Sequence, residues 1–210
     1  MQKNLLIFAI VMICITALLA WGPVMSQVEQ AKYSVVEVNN NIEIRDYAPM
    51  IAAEVEVSGE REKAINQGFR MIADYIFGNN VTAQKLAMTA PVVQQSAEKI
   101  AMTAPVIQQA NNNGSWMVRF IMPSEKTMQT LPTPNNTVVK LQEIPAKRYV
   151  AIRFSGLGSE KNLEKYTNEL KVFMAEKKLV AVAMPSYAFY NPPWTLPMLR
   201  RNEIMMEIEK

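Results

Sequence analysis

The chain has 210 residues, of which half are hydrophobic and a fifth charged, and it contains no histidine and one cysteine. The lack of histidine excludes Ser-His-Asp triads, HExxH zinc sites and histidine-ligated haem or copper. A single cysteine excludes an internal disulfide, a CxxC redox centre and a cysteine-held iron–sulfur cluster. The net charge of +3 is too small to predict a nucleic-acid partner, whereas the count of fifteen methionines is high.

The first 26 residues form an apolar leader. The run from Leu5 to Trp21 is interrupted only by Thr16, and Lys3 precedes it as the one charged residue of the leader. A positive charge followed by an apolar run is typical of a secretory signal, and the run approaches the ~20 residues that a membrane-spanning helix needs. We therefore expect residues 1–26 to be a signal peptide or an N-terminal membrane anchor. Residues 27–210 are then an exported domain that is periplasmic, extracellular or membrane-anchored.

The next part of the chain predicts three strands and a helix. Tyr33–Val38 and Ile42–Tyr47 flank a run of asparagines and predict a β-hairpin, and Ile51–Val57 predicts a third strand. An acidic stretch then begins a helix over Ala64–Phe77. The apolar residues of this helix recur at the spacing of one helical face, namely Ile65, Phe69, Ile72 and Ile76.

The same order of elements returns in the second half of the chain. The first half ends with a strand over Trp116–Met122, and beyond the connector Leu131–Asn136 strands are predicted over Val138–Ile144 and Tyr149–Phe154. A second helix follows, and Val180–Tyr190 and Glu203–Glu209 predict the closing strands. The apolar face of the second helix consists of Leu163, Tyr166, Leu170 and Phe173. The inventory predicts an α+β fold made of two similar strand–helix–strand–strand halves.

A tandem copy lies within the first half, between its helix and its last strand. Lys85–Gln95 (KLAMTAPVVQQ) returns as Lys99–Gln109 (KIAMTAPVIQQ), which indicates a duplicated strand or hairpin. Alternation places Met88 on one face with Leu86 and Ala90, and Met102 likewise with Ile100 and Ala104. These methionines either fill the core or form a soft, polarisable wall for a flat apolar ligand.

Several motifs of the chain resemble those of the SOUL haem-binding family. They are KIAMTAPV at Lys99–Val106, FIMP at Phe120–Pro123, LPTP at Leu131–Pro134, FSG at Phe154–Gly156 and YNPPWTLPMLRRNE at Tyr190–Glu203. The resemblance runs from about residue 33 to the end. It implies a distorted β-barrel of two similar halves flanked by two helices. It also implies non-catalytic binding of haem or another tetrapyrrole in an open apolar cleft beside the first helix.

The resemblance also indicates where such a ligand is expected. Carried over by motif, the candidate binding residues are Asn66, Phe69, Ala73 and Met88, and Arg70 either pairs with a propionate or belongs to a solvated face. Because the chain has no histidine, the metal ligand is undetermined: methionine, tyrosine, lysine or water, or none if apolar contacts hold the porphyrin. This favours a loosely ligated carrier or buffer, with the membrane as a second partner if the leader is uncleaved.

Three alternative functions are compatible with the same fold. The cleft could bind another apolar or amphiphilic ligand, the domain could be a membrane-proximal protein-interaction module, or tyrosine and glutamate could support tetrapyrrole-modifying or hydrolytic chemistry. Glu54 and Glu56 share a strand face, which is also the pattern of a solvated face. The segment Tyr190–Trp194 could be a ligand lid or a rigid plug, and the resemblance favours a structural role for Arg200 and Arg201 in holding it.

Overall fold

The computed structural model describes residues 28–82 and 97–210, so the leader and Met88 lie outside the described residues. The described part contains two helices, α1 (Arg61–Ile76) and α2 (Glu160–Glu176). Its strands are β1 (Glu29–Gln30), β2 (Tyr33–Asn39), β3 (Ile42–Tyr47), β4 (Met50–Ser58), β5 (Asn80–Val81), β6 (Thr103–Ala104), β7 (Val106–Ala110), β8 (Ser115–Ile121), β9 (Thr133–Pro134), β10 (Lys140–Ile144), β11 (Lys147–Phe154), β12 (Ser186–Phe189) and β13 (Asn202–Ile208).

Nine of these strands form one antiparallel sheet that curls into a half-barrel, in the order β10-β4-β8-β7-β12-β13-β11-β3-β2. Helix α1 packs on β4 and β8, and helix α2 packs on β11 and β13. The α+β barrel with two flanking helices is thereby confirmed. The halves exchange strands: β10 of the second half pairs with β4, and β3 of the first half pairs with β11. Both helices lie on one face of the sheet, which leaves the opposite, concave face without a helix.

Helix α1 approaches the sheet through small residues. Its buried face contains Ala64, Gly68 and Ile72, and a Cβ added to Gly68 would lie 2.7 Å from Val118 Cγ2. A side chain at this position would therefore hold the helix away from β8. The predicted face contained Phe69 instead, but this ring lies at the edge of the interface and is 39 % exposed.

Two predicted strands differ in the structure. The strand predicted over Val180–Tyr190 is shorter and begins at Ser186, directly after Pro185, which has no N–H to donate to a sheet. In the second tandem copy, residues 97–102 are irregular and regular pairing begins at Thr103. The alternation that grouped Met102 with Ile100 and Ala104 is therefore wrong, because Met102 is exposed and the other two are buried.

Two helix-facing clusters form most of the core. One lies between α1 and the β4–β8 pair, with Ile72, Val118 and Phe120 among its buried members. The other lies between α2 and the β11–β13 pair, with Leu170 and Ile204 among its members. Among the described residues, no helix has the length and apolarity needed to cross a membrane.

Candidate functional site

The residues predicted from the first helix lie together on its outer side. Asn66, Phe69 and Ala73 are separated by three and four positions, so they share one face of α1. Asn66 is exposed, Phe69 is the 39 % exposed aromatic ring, and Ala73 is partly buried. Met88 is the fourth predicted residue, and its position lies outside the described part of the chain.

Basic side chains adjoin these residues. Lys63, Asn66, Gln67, Arg70 and Met71 line a shallow depression of about 440 Å³ along the helix. Lys63 pairs with Glu60 at 3.1 Å, whereas Arg70 forms no salt bridge with any carboxylate of the described residues. We refer to the outer side of the helix, formed by Lys63, Asn66, Phe69, Arg70 and Ala73, as the α1 surface. It combines an exposed aromatic ring with a cation that can meet an anionic group.

The second tandem copy lies close to this helix. The backbone N–H of Ile100 donates to the carbonyl of Ile76 at 2.9 Å, so the segment runs past the C-terminal end of α1. Further along, the rings of Phe69 and Phe120 are 5.2 Å apart, and Phe120 pairs with Val106 of β7. The helix and the second tandem copy therefore flank the same part of the first core.

Asn80 fixes this arrangement, a role that sequence reasoning missed. Its side-chain amide donates to the carbonyls of Tyr75 and Glu98, each at 2.8 Å, and its Oδ1 accepts from the Glu98 N–H at 3.0 Å. The N-x-T triplet that Asn80 begins suggests glycosylation from sequence alone, but the buried and fully bonded amide cannot accept a glycan in the folded state. A buried asparagine just after a helix was the signal that could have revealed this contact.

The concave face of the sheet carries a second candidate site. A cavity of about 380 Å³ is lined by aromatic and aliphatic side chains, among them Tyr47, Ile107, Tyr149 and Met205. Tyr47 and Tyr149 meet edge to face at 5.5 Å. Two ion pairs adjoin the cavity, Arg119–Glu54 at 2.6 Å and Lys147–Glu207 at 2.7 Å. Each carboxylate is paired with a cation, so Glu54 and Arg119 line the cavity as an ion pair, as do Glu207 and Lys147.

Beyond this cavity, a buried charge network connects three strands on the same face. Arg45 of β3 reaches across β11 and donates to Glu203 of β13 at 2.7 and 3.1 Å. Arg201 and the Tyr190 hydroxyl donate to the same carboxylate at 2.9 and 2.8 Å. The side chains of Arg45 and Glu203 are 2 % and 0 % exposed. Every charge is paired within the network, so this cluster supports the fold and leaves no open position for a ligand.

The environment shifts the pKa values of these groups in definite directions. Burial opposes the ionisation of Glu203, but hydrogen bonds and charge from Arg45, together with Arg201 and Tyr190, outweigh it and hold the pKa of Glu203 below its usual range. Burial raises the pKa of Tyr47 to about 12, against the opposing charge of Arg45. Burial also raises the pKa of Tyr190, with the charge of Glu203 acting in the same direction. The tyrosines are therefore neutral donors at physiological pH, and the glutamate is an anion.

Arg200 and Arg201 hold the C-terminal loop as expected. The Arg200 guanidinium donates to the carbonyl of Thr195 at 2.7 Å and to that of Pro193, and the Arg201 N–H donates to Asn191 Oδ1 at 2.6 Å. This confirms a structural role for the two arginines. Among the described residues, no cluster of acidic, cysteine or histidine side chains is arranged to hold a metal ion.

Comparison with solved structures identifies the fold at low sequence identity. The C-terminal domain of EcmrR superposes with a TM-score of 0.58 at 11 % identity, covering 85 % of this chain and 98 % of that one. A hydrolase from Listeria innocua gives a TM-score of 0.52 at 13 % identity over 83 % and 94 % of the two chains. An uncharacterized conserved protein from the same organism gives 0.54 at 15 % over 81 % and 93 %. At these identities the similarity shows a shared fold alone.

The comparison with families is more specific. No curated protein matches the sequence. The model of the family described as SOUL heme-binding protein matches residues 28–207, which is most of the chain and includes both helices and all but the last residue of the sheet. The chain therefore belongs to the SOUL haem-binding protein family.

Proposed function

We propose that the protein binds haem or a related tetrapyrrole at the α1 surface, without catalysis, as a carrier or buffer outside the cytoplasm. The observation that carries the proposal is the exposure of Phe69 beside Arg70, in a chain of the SOUL family. A flat apolar ligand that lies on this surface would cover the ring. A haem also carries carboxylates, which a guanidinium on the same helix can neutralise.

The residues present fit the porphyrin better than they fit the iron. Phe69 and Ala73 offer apolar contact, and Lys63 and Arg70 offer positive charge to the propionates. The chain contains no imidazole, so an axial ligand would have to be a weaker one such as a methionine sulfur, or a water. When bound, the haem supplies its own redox and ligand-binding chemistry. The protein's part is to cover one ring face and pair with its anionic edge, which suits reversible carriage.

A titration with hemin, followed at the Soret band, tests the proposal. If the ligand covers the exposed 39 % of Phe69, about 80 Å² of aromatic surface is removed from water. At about 25 cal/mol per Å² this contributes about 2 kcal/mol, so the Phe69→Ser variant should bind roughly 30-fold more weakly. Val172→Ser is the matched control, since Val172 is 60 % exposed on the other helix. No saturable Soret shift in the unaltered protein, or equal losses in both variants, would contradict the proposal.

The propionate contact has its own test. Arg70→Gln removes the positive charge and keeps a polar, unbranched but shorter side chain. Because an exposed ion pair contributes about 1 kcal/mol or less, hemin affinity should fall by about fivefold at low salt. The difference should shrink in high salt, where exposed charges are screened. Lys161→Gln, a charge removed from the exposed start of α2, should leave hemin affinity unchanged.

A specific observation supports a second candidate function, the binding of another apolar or amphiphilic ligand on the concave face. The cavity there, of about 380 Å³, has room for more than a few water molecules. Its lining combines tyrosine rings with the Arg119–Glu54 and Lys147–Glu207 ion pairs. Native mass spectrometry of the purified protein should then reveal a co-purified ligand that is not a porphyrin. Ile107→Trp, which places an indole in this cavity, should displace that ligand and leave the hemin titration unchanged. Loss of hemin binding in Ile107→Trp would instead place the tetrapyrrole on the concave face.

The proposed location rests on the leader sequence. Its apolar run and single preceding charge favour export, either with cleavage or as an anchor. Intact masses of the protein from membrane and soluble fractions test this: removal of the leader should lower the mass below that of the full-length chain by about 26 residues. A full-length mass in the membrane fraction supports the anchor. A full-length mass confined to the soluble fraction would contradict both forms of export.

A further inference from the structure

The C-terminal loop presents a cluster of exposed apolar side chains that the proposed tetrapyrrole site does not use. Trp194 is 71 % exposed and Met198 is 70 % exposed, and Leu196 and Leu199 beside them are more than half exposed. Leu157 joins the cluster, because the N–H of Gly156 donates to the carbonyl of Pro197 at 2.8 Å. We refer to these five residues, Leu157, Trp194, Leu196, Met198 and Leu199, as the C-terminal apolar tip.

The tip is held in one conformation even though it is exposed. The backbone N–H of Leu199 donates to the carbonyl of Leu196 at 2.9 Å, and that of Thr195 to the carbonyl of Pro192 at 3.0 Å. The guanidinium of Arg200 satisfies two further carbonyls of the loop. Backbone groups that are bonded within the loop need no water as a partner. These bonds therefore lower the free energy needed to move the loop from water into an apolar medium.

The composition of the loop also lowers the free energy needed to move it into an apolar medium. Three of its residues are prolines, at positions 192, 193 and 197, so they bring no N–H group that would have to lose its water. From Tyr190 to Asn202 the chain contains no carboxylate; of its two arginines, Arg201 pairs with Glu203, whereas Arg200 donates to backbone carbonyls and keeps its positive charge beside the tip. Tryptophan is the residue most typical of the boundary between lipid tails and headgroups, and a nearby arginine favours an anionic surface.

A second observation places the start of the described chain beside this loop. The side chain of Arg201 donates to Gln30 Oε1 at 2.9 Å, and the backbone N–H of Arg201 donates to Asn191 Oδ1 at the base of the loop. The apolar run of the leader ends at Trp21, nine residues before Gln30, and nine extended residues reach about 30 Å at most. If the leader enters a bilayer, that bilayer must lie within this distance of the contact between Gln30 and Arg201.

We propose that the C-terminal apolar tip docks on a lipid bilayer, entering the interfacial region with Trp194 and Met198. The occupant is a membrane surface containing anionic lipid. Gln30, which follows the leader in the chain, contacts Arg201 at the base of the loop, so the tip and the leader can meet the same membrane. The tetrapyrrole proposal does not depend on this docking, since the tip belongs to the C-terminal loop and the α1 surface to the first helix.

The test uses the full-length chain reconstituted in vesicles of phosphatidylcholine and phosphatidylglycerol. Cys14, the sole cysteine, is replaced by serine, and Met198→Cys is labelled with the environment-sensitive dye NBD. Val172→Cys, a 60 % exposed site on α2, carries the same label as the matched control. We expect a blue-shifted NBD emission and quenching by spin-labelled lipid at position 198, and water-like emission without quenching at position 172. Adding Trp194→Ser and Leu199→Ser should reduce the quenching at position 198 by at least about tenfold.

Three results would overturn the proposal. Equal, water-like emission at both positions would mean that the tip stays in solvent. A blue shift at position 198 that grows with protein concentration in the absence of vesicles would assign the tip to a second copy of the chain. A blue shift without vesicles that is independent of concentration would mean that another part of the chain covers it. All three can occur with hemin binding intact, so failure of this proposal is distinguishable from failure of the tetrapyrrole proposal.

Discussion

Replacing Glu203 by glutamine should be among the most destabilising conservative changes in this protein. The substitution keeps the size of the side chain but removes the negative charge that faces Arg45, a guanidinium that is 2 % exposed. Breaking a buried pair from one side costs about 3–5 kcal/mol, because the remaining charge is left without its partner. Arg45 keeps a second carboxylate, Glu43, at 2.7 Å, and this partner is partly exposed. We therefore expect the lower end of that range, about 3 kcal/mol.

Urea denaturation measures this loss against a matched control on the same strand and the same face. Glu207→Gln breaks the pair with Lys147, whose two side chains are partly exposed, and should cost about 1 kcal/mol or less. With a denaturant dependence of about 2 kcal/mol per molar urea, the midpoint of Glu203→Gln should fall by about 1.5 M. If the two variants lose equal stability, the buried network contributes no more than a surface pair, and the reasoning is refuted.

The pH dependence of the same pair of proteins provides a second check. Because the pKa of Glu203 is lowered in the folded state, its contribution is fully present above the pKa of the unfolded state, near 4.5. The contribution is lost as the pH falls from there through the lower folded-state pKa. The difference in the free energy of unfolding between unaltered protein and Glu203→Gln should therefore be constant from pH 6 to 8. It should shrink below about pH 4.5, and a difference that grows in acid would contradict this assignment.

Two further predictions concern core packing and alkaline stability. Gly68→Val should lower the free energy of unfolding by about 1–3 kcal/mol, because the new side chain would meet Val118 of β8. Gln67→Val, on the exposed side of the helix, should lower it by about 0.5 kcal/mol. Thermal unfolding of both variants measures the difference, and equal melting temperatures would show that the helix shifts freely. Stability should also fall as the pH rises above about 10, because burial raises the pKa of Tyr47 to about 12 and also raises that of Tyr190, so the unfolded chain loses these protons first. Denaturation followed from pH 8 to 11 tests this, and a stability that is flat across that range would contradict the burial of these hydroxyls as neutral groups.

The sequence predicted the elements well because their signals are local. The hairpin over β2 and β3 follows from alternation around asparagines, and both helices follow from apolar residues at helical spacing. The predicted face of α1 was partly wrong for a physical reason. Periodicity gives weight to large side chains, whereas this interface is made by Gly68 and Ala64, whose small size allows close approach. Phe69 was therefore assigned to the core face although it lies at its exposed edge.

The features of the two candidate sites required the tertiary structure. Glu54 and Arg119 form an ion pair across 65 positions of sequence, and Arg45 and Glu203 across 158. No local pattern indicates such pairs, because they depend on which strands become neighbours. Sequence reasoning treated Glu54 as a solvated residue or a weak catalytic candidate, and the structure shows a paired carboxylate beside a cavity. Three of the four residues carried over by motif lie on one side of α1, whereas Met88 stays a prediction.

The exchange of strands between the two halves determines how the chain must assemble. The pairing of β3 with β11 joins Glu43 to Ala151, about a hundred residues apart, and β10 completes the edge beside β4. A polypeptide that ended in the connector near residue 130 would lack β10, and its first hairpin would have no β11 to pair with. Neither half is therefore an autonomous folding unit, even though the order of elements in the sequence indicates a duplication. Folding should be slow and cooperative, as expected when distant segments must meet first, and two separately expressed fragments should become structured only when mixed.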